Sequence, residues 1–190
     1  MFKAMQDLKG KASTGERGFT LVELLIVVAI IGILAAIAIP QFAAYRMRGF
    51  NAAANSDLRN VRTTEEALFA DFQSYGNITA AAATAGAAAT ALTGAANFLV
   101  TNVGGQAQLF AVSNNVTAGV NVVASAVAPN QFVSYLMATK HLNGDRRYGA
   151  DSDSAATWWI LGPVVGTPMV AGDVPAGTTA VNNLAAWTIM

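Results

Sequence analysis

The sequence has 190 residues, with 11 Lys and Arg against 11 Asp and Glu, a single His and no Cys, and 54% of it is hydrophobic. Charged residues make up only 12%, about half the share usual in a soluble domain, which excludes disorder across the whole chain and nucleic-acid binding by bulk positive charge. The lack of Cys removes disulfides, thiolate metal sites and cysteine nucleophiles, and the lone His141 leaves a multi-His metal site without partners.

The few charges are segregated along the chain. Residues 1–18 hold Lys3, Lys9, Lys11 and Arg17 against Asp7 and Glu16, whereas Phe19–Ile39 hold a single charge, Glu23. As a helix this run would rise about 31 Å, the thickness of a bilayer's hydrocarbon core. It outlasts the apolar core of an ordinary secretory signal, and no small-residue cleavage site ends it. Instead Pro40 and the polar Gln41 close it. Basic residues ahead of the span place that side in the cytoplasm, with the bulk of the chain exported. Glu23 is costly at this depth. Either it lies near enough the interface to snorkel or protonate, or a positive group meets it. A cut between Gly18 and Phe19 would supply one, an α-amino group one helical turn away, and a neighbouring subunit's amine would neutralise the carboxylate in an apolar bundle.

The run from Gly18-Phe19-Thr20-Leu21-Val22-Glu23 through Gly32 to Pro40 resembles the amino-terminal signature of type IV pilins. Its continuation, Gln41-Phe42-Ala43-Ala44-Tyr45-Arg46 with Ser56-Asp57-Leu58-Arg59-Asn60, is similar to pilins of metal-reducing bacteria. The resemblance covers about residues 15–75 and implies an α+β pilin fold. It further implies a leader (1–18) removed by prepilin peptidase after Gly18, N-methylation of Phe19, and storage in the inner membrane. Assembly by the pilus machinery into an extracellular homopolymer would follow. Glu23 matches the glutamate that pairs with a neighbour's amino terminus, and the stretch from Gly32 to Pro40 matches one that melts on assembly. The leader is longer than that of many members.

A long helix is expected over residues 19–75, with 19–39 as membrane span or filament core. Beyond Pro40, apolar residues at Met47, Phe50, Ala54, Leu58, Val61, Leu68, Phe72 and Tyr75 trace one helical face, interrupted by Glu65. A β-rich region is the natural cover for that stripe. The aromatics Phe19, Phe42, Tyr45, Phe50, Phe69, Phe72 and Tyr75 along the helix fit packing between subunits or long-range electron conduction. Composition alone does not separate the two.

Residues 76–190 form the expected globular head. From Phe72 to Thr139 there is no charged side chain. Gly76-Asn77 is a helix stop, and 79–96 is a low-complexity Ala/Thr/Gly loop, whose Thr residues are glycan acceptors or simply exposed. Strands are expected at Asn97–Val103, Gln106–Ser113, Val116–Ala128, Gln131–Thr139, Ala155–Leu161 and Ala185–Met190, rich in Val, Thr and aromatics. Turns are expected at Gly104-Gly105, Asn114-Asn115, Pro129-Asn130 and Gly162-Pro163. The sheet's outer face is expected to carry Thr, Ser, Asn and Gln.

One constellation has metal-ligand chemistry. The stretch from Asn143 to Ser154 offers Asp145, Asp151 and Asp153, oxygen donors of the kind Ca²⁺ takes, at a spacing unlike the EF-hand. Pseudopilins of type II secretion, similar in their amino termini, carry a carboxy-terminal calcium loop. The alternative is a turn-rich loop in which Arg146 and Arg147 pair with these aspartates. No hydrolase, Walker-type or dinucleotide motif is present, and His141 reads as an exposed loop residue, so no enzyme is indicated. The reading is a major pilin, a structural subunit for which the filament's adhesion or motility is not ranked. Its alternatives are a pseudopilin or minor pilin and, in a different class, a membrane-anchored surface binding protein. Loss of the leader would change the formal charge from zero to −2.

Overall fold

The computed structural model describes residues 18–79, 97–100, 107–124, 131–162, 164–167, 169, 173–174 and 184–190. Most of the leader and all but Thr79 of the low-complexity segment lie outside the described residues, as do Gly104-Gly105 and Pro129-Asn130. The chain divides into two units, one ending at Ala43 and one from Ala44 to Met190.

Helix α1 covers Leu21–Phe72 without a break at Gly32 or Pro40. Among the described residues it is the one helix long and apolar enough to cross a membrane. In the first unit its Leu, Ile and Val side chains from Leu21 to Ile39 are exposed, so this stretch has no apolar cover of its own. In the second unit the apolar stripe is buried at Ala54, Leu58, Val61 and Leu68, each large member stabilising the head by about 1.5–3 kcal/mol. The helix ends three residues before the expected Tyr75. Gln73 takes a left-handed φ of 54°, and its amide donates to the Phe69 carbonyl at 2.8 Å. That bond closes the last turn.

After the helix come β1 (Asn77–Thr79), β2 (Asn97–Val100) and β3 (Ala107–Phe110), an antiparallel sheet in the order β1-β2-β3. A second antiparallel sheet holds β4 (Val116–Ala124), β5 (Phe132–His141), β6 (Arg146–Asp151), β7 (Ser154–Leu161) and β8 (Thr188–Ile189), each strand beside the next. This is the α+β arrangement expected from the sequence. Asn115, at φ 62°, makes the expected turn into β4, since Asn tolerates the left-handed region better than most residues.

Strand alternation sends Val116, Ala118, Val120, Tyr135, Met137, Tyr148 and Ala150 into the core beside the helix stripe. Thr139 Oγ1 ties the two layers by donating to the Ala54 carbonyl at 2.7 Å. The opposite face differs from the polar surface expected. Leu136 and Trp158 pack under Leu184, and Ala138 under Met169 and Val174, so carboxy-terminal segments coat the sheet as a third layer. Glycine permits that approach: a Cβ on Gly149 would lie 2.9 Å from the Trp187 ring.

Candidate functional site

At the start of α1, Thr20 and Glu23 satisfy each other. The Glu23 amide donates to Thr20 Oγ1 at 3.2 Å, and the Thr20 amide and hydroxyl donate to Glu23 Oε2 at 2.8 and 2.7 Å. This Thr-x-x-Glu reciprocity is a capping box, which satisfies amides that a helix start leaves without partners. Sequence reading missed it, although the Thr-Leu-Val-Glu spacing carries the signal. Phe19, one residue earlier, is 89% exposed, and Gly18 precedes it outside the helix. Phe19, Glu23, Leu24, Ile26 and Val27 line an open apolar groove. The structure therefore places Gly18, Phe19 and Glu23, the residues expected as cleavage pair, methylation residue and assembly carboxylate, close together at an accessible helix start.

The three aspartates read as calcium ligands are not brought together. Asp145 and Asp151 flank opposite ends of β6, about 20 Å apart at strand rise, and no group of three or more His, Asp or Glu able to hold a metal occurs among the described residues. Each end has its own use. Asp145 Oδ1 accepts from Asn51 Nδ2 at 2.6 Å. Asp151 Oδ1 accepts from the Asp153 amide at 3.1 Å, shaping the β6–β7 turn. The alternative pairing fails as well: Arg147 pairs with Asp173 at 2.6 Å, and Arg146 lies 4.1 Å over the Trp159 ring. His141 corrects a further expectation. It is only 5% exposed, ends β5, stacks on Phe50 at 4.4 Å and accepts from the Asn143 amide through Nδ1.

The rings split into two groups. Phe50, Phe72, Phe69 and Tyr75 are packed within the head, the last two stacked at 4.5 Å, with Tyr75 edge-on to Tyr135 at 4.7 Å. Phe19, Phe42 and Tyr45 are exposed.

Four polar residues that fasten the head escaped the sequence reading. Glu65, 0% exposed, accepts the Gly76 amide on Oε2 at 2.8 Å, while Oε1 has no partner. Burial, outweighing that bond, pushes its carboxyl up to about 8, and Glu66 adds to the rise. Asp57 accepts from the Ser113 amide at 2.7 Å and hydroxyl at 3.1 Å. Arg62 donates to the carbonyls of Ser154, Ala155 and Ala156. Lys140 Nζ donates to the Thr167 carbonyl at 2.8 Å and to those of His141 and Leu142, and burial lowers its pKa.

Comparison with known proteins points to the same amino-terminal turn. Residues 13–39 match the family model of the prokaryotic N-terminal methylation motif. The type IV major pilin protein PilA of Myxococcus xanthus (strain DK1622) is 49% identical over 59 residues, 31% of this chain and 27% of the relative. A type IV major fimbrial protein FimA of Dichelobacter nodosus is 52% identical over 56 residues, 30% and 36% of the two chains. A fimbrial protein of Pseudomonas aeruginosa is 55% identical over 51 residues, 27% and 33%. The chain thus spans between about a quarter and just over a third of the length of these relatives. The family-model match lies in the amino-terminal part of the chain.

Proposed function

We propose that this chain, similar to type IV pilins in its amino-terminal part, is the major structural subunit of a type IV pilus. The observation that carries this is the exposed apolar helix, Leu21–Ile39, which begins with an accessible Phe19 and a Glu23 carboxylate within one turn. Such a helix is covered either by lipid or by copies of itself. In the precursor the inner membrane covers it, with residues 1–18 on the cytoplasmic side.

Prepilin peptidase cuts after Gly18, Phe19 is N-methylated, and the assembly machinery moves the helix from lipid into the filament core. The capping bonds use Glu23 Oε2, which leaves Oε1 for a neighbouring subunit's amine. Charge pairing in that apolar setting sets the register between subunits, since a carboxylate left alone there is costly. The unbroken helix at Gly32 and Pro40 is the stored form, and this stretch melts on assembly because Pro40 already withholds one helical donor.

Electron microscopy of surface filaments sheared from cells with and without this chain tests the reading. Long filaments composed mainly of it support a major pilin. Filaments that persist without it, built of another pilin, assign it the minor or pseudopilin role.

A further inference from the structure

Among the described residues the head carries an exposed aliphatic patch. Leu161 is 65% exposed, Val164 77% and Val165 45%, unusual for adjoining aliphatic residues in a head whose other face is coated. The patch is tethered to one end of the sheet. The Gly162 amide donates to the Asp145 carbonyl at 2.7 Å and the Gly166 amide to the Leu142 carbonyl at 2.8 Å.

That same end meets the first turns of the helix's head portion. His141 stacks on Phe50, and Asn51 bonds Asp145. Arg46 lies 5.5 Å over the Phe50 ring, and Arg48 reaches back one turn to lie 5.5 Å over Tyr45. Both arginines and Tyr45 are exposed. Among the described residues neither arginine is in an ion pair, the single one being Arg147–Asp173.

An aliphatic patch, an exposed tyrosine and two exposed guanidinium groups therefore occupy one end of the head. This is the mixture that a bilayer's interfacial layer accepts: aromatic rings at headgroup depth, aliphatic side chains below and cations on lipid phosphates. In sequence Tyr45 follows the last residue of the apolar run by only six positions, and Arg46 and Arg48 are the first basic residues after it. The opposite end of the sheet, at the β6–β7 turn, presents Ser152 and the exposed Asp153 instead.

We infer that, before assembly, the head docks on the anionic phospholipid surface of the membrane its helix crosses, through Leu161, Val164, Val165, Tyr45, Arg46 and Arg48. The inference rests on the membrane-stored precursor proposed above. Docking would hold the head down until extraction, so filament entry would break these contacts as well as withdraw the helix.

The chain contains no Cys, so Val164→Cys and Asp153→Cys each accept one nitroxide in the full chain. After reconstitution in phosphatidylglycerol or phosphatidylcholine vesicles, electron paramagnetic resonance measures collision with dissolved oxygen and with a water-soluble nickel chelate. On phosphatidylglycerol the label at 164 is expected to meet the chelate several-fold less than the label at 153. Arg46→Glu with Arg48→Glu should reduce that contrast to its level on phosphatidylcholine. Equal exposure of the two labels on vesicle-bound chain overturns the docking. So does protection at 164 confined to assembled filaments, which assigns the patch to a second copy. Chain that fails to float with either vesicle overturns the membrane-stored precursor itself, a separate result.

Discussion

Replacing Glu65 by Gln tests whether a neutral carboxyl holds the end of the long helix to the first strand. Glu65 is fully buried, receives one amide bond at Oε2 and has its other oxygen unpartnered. A single N–H does not compensate for the lost hydration of an anion. Its folded-state value of about 8 exceeds the ordinary 4.5, so the folded chain binds the extra proton between those two values. Stability is therefore fully present below pH 4.5 and falls as pH rises to about 8. At 1.36 kcal/mol per pH unit the loss is roughly 3 kcal/mol by pH 7 and about 5 kcal/mol above pH 8. Both are large against the 5–15 kcal/mol of a typical domain. Gln mimics the neutral form and does not titrate. Urea unfolding of the full chain in detergent, followed by tryptophan fluorescence, reads the head alone because Trp158, Trp159 and Trp187 all lie there. The wild-type midpoint should fall from pH 5 to pH 8.5, and the gap between Glu65→Gln and wild type should widen by several kcal/mol in favour of Gln. Parallel curves across that range would refute a protonated Glu65.

Other substitutions probe the remaining contacts. Thr20→Ala removes the capping box and should cost about 1 kcal/mol at the helix start, seen as faster amide exchange at residues 21–24; Thr20→Ser should keep the protection. Arg62→Met frees three β7 carbonyls and should destabilise the head by about 2 kcal/mol, with β7 amides exchanging sooner; an unchanged urea midpoint would sink that assignment. Gly149→Val forces a Cβ against Trp187 and should cost about 1–3 kcal/mol, with a red-shifted tryptophan emission marking displacement of the coat. Calcium followed by EGTA should leave the head's melting temperature unmoved, because the three aspartates are separated; a rise with calcium would reopen the metal reading.

The long helix was legible because its two halves follow simple rules, an unbroken apolar run and then apolar residues three or four apart. Most of the β-strands were legible from Val, Thr and aromatic content. Strand β6 was not, since Arg146, Arg147 and Gly149 read as a loop. Their places are made by partners distant in sequence: Trp159 under Arg146, Asp173 on Arg147 and Trp187 over Gly149. The same remoteness hid Glu65, which the stripe marks as an interruption but which is neutralised by burial that only the closed head supplies. His141 looked like loop because β5 was expected to stop at Thr139, whereas the strand runs two residues further and carries the ring onto Phe50. At the amino-terminal turn, the residues from Gly18 to Glu23 were legible as a group. The capping role of Thr20 is masked in the sequence because its partner Glu23 also reads as a lone charge in an apolar run.

On the proposed function, this chain enters filaments as a processed subunit led by Phe19. Intact-mass measurement and amino-terminal sequencing of the subunit from purified filaments test this. The subunit should lack residues 1–18 and begin with a methylated Phe19; one that retains the leader, or begins elsewhere, would refute the proposal.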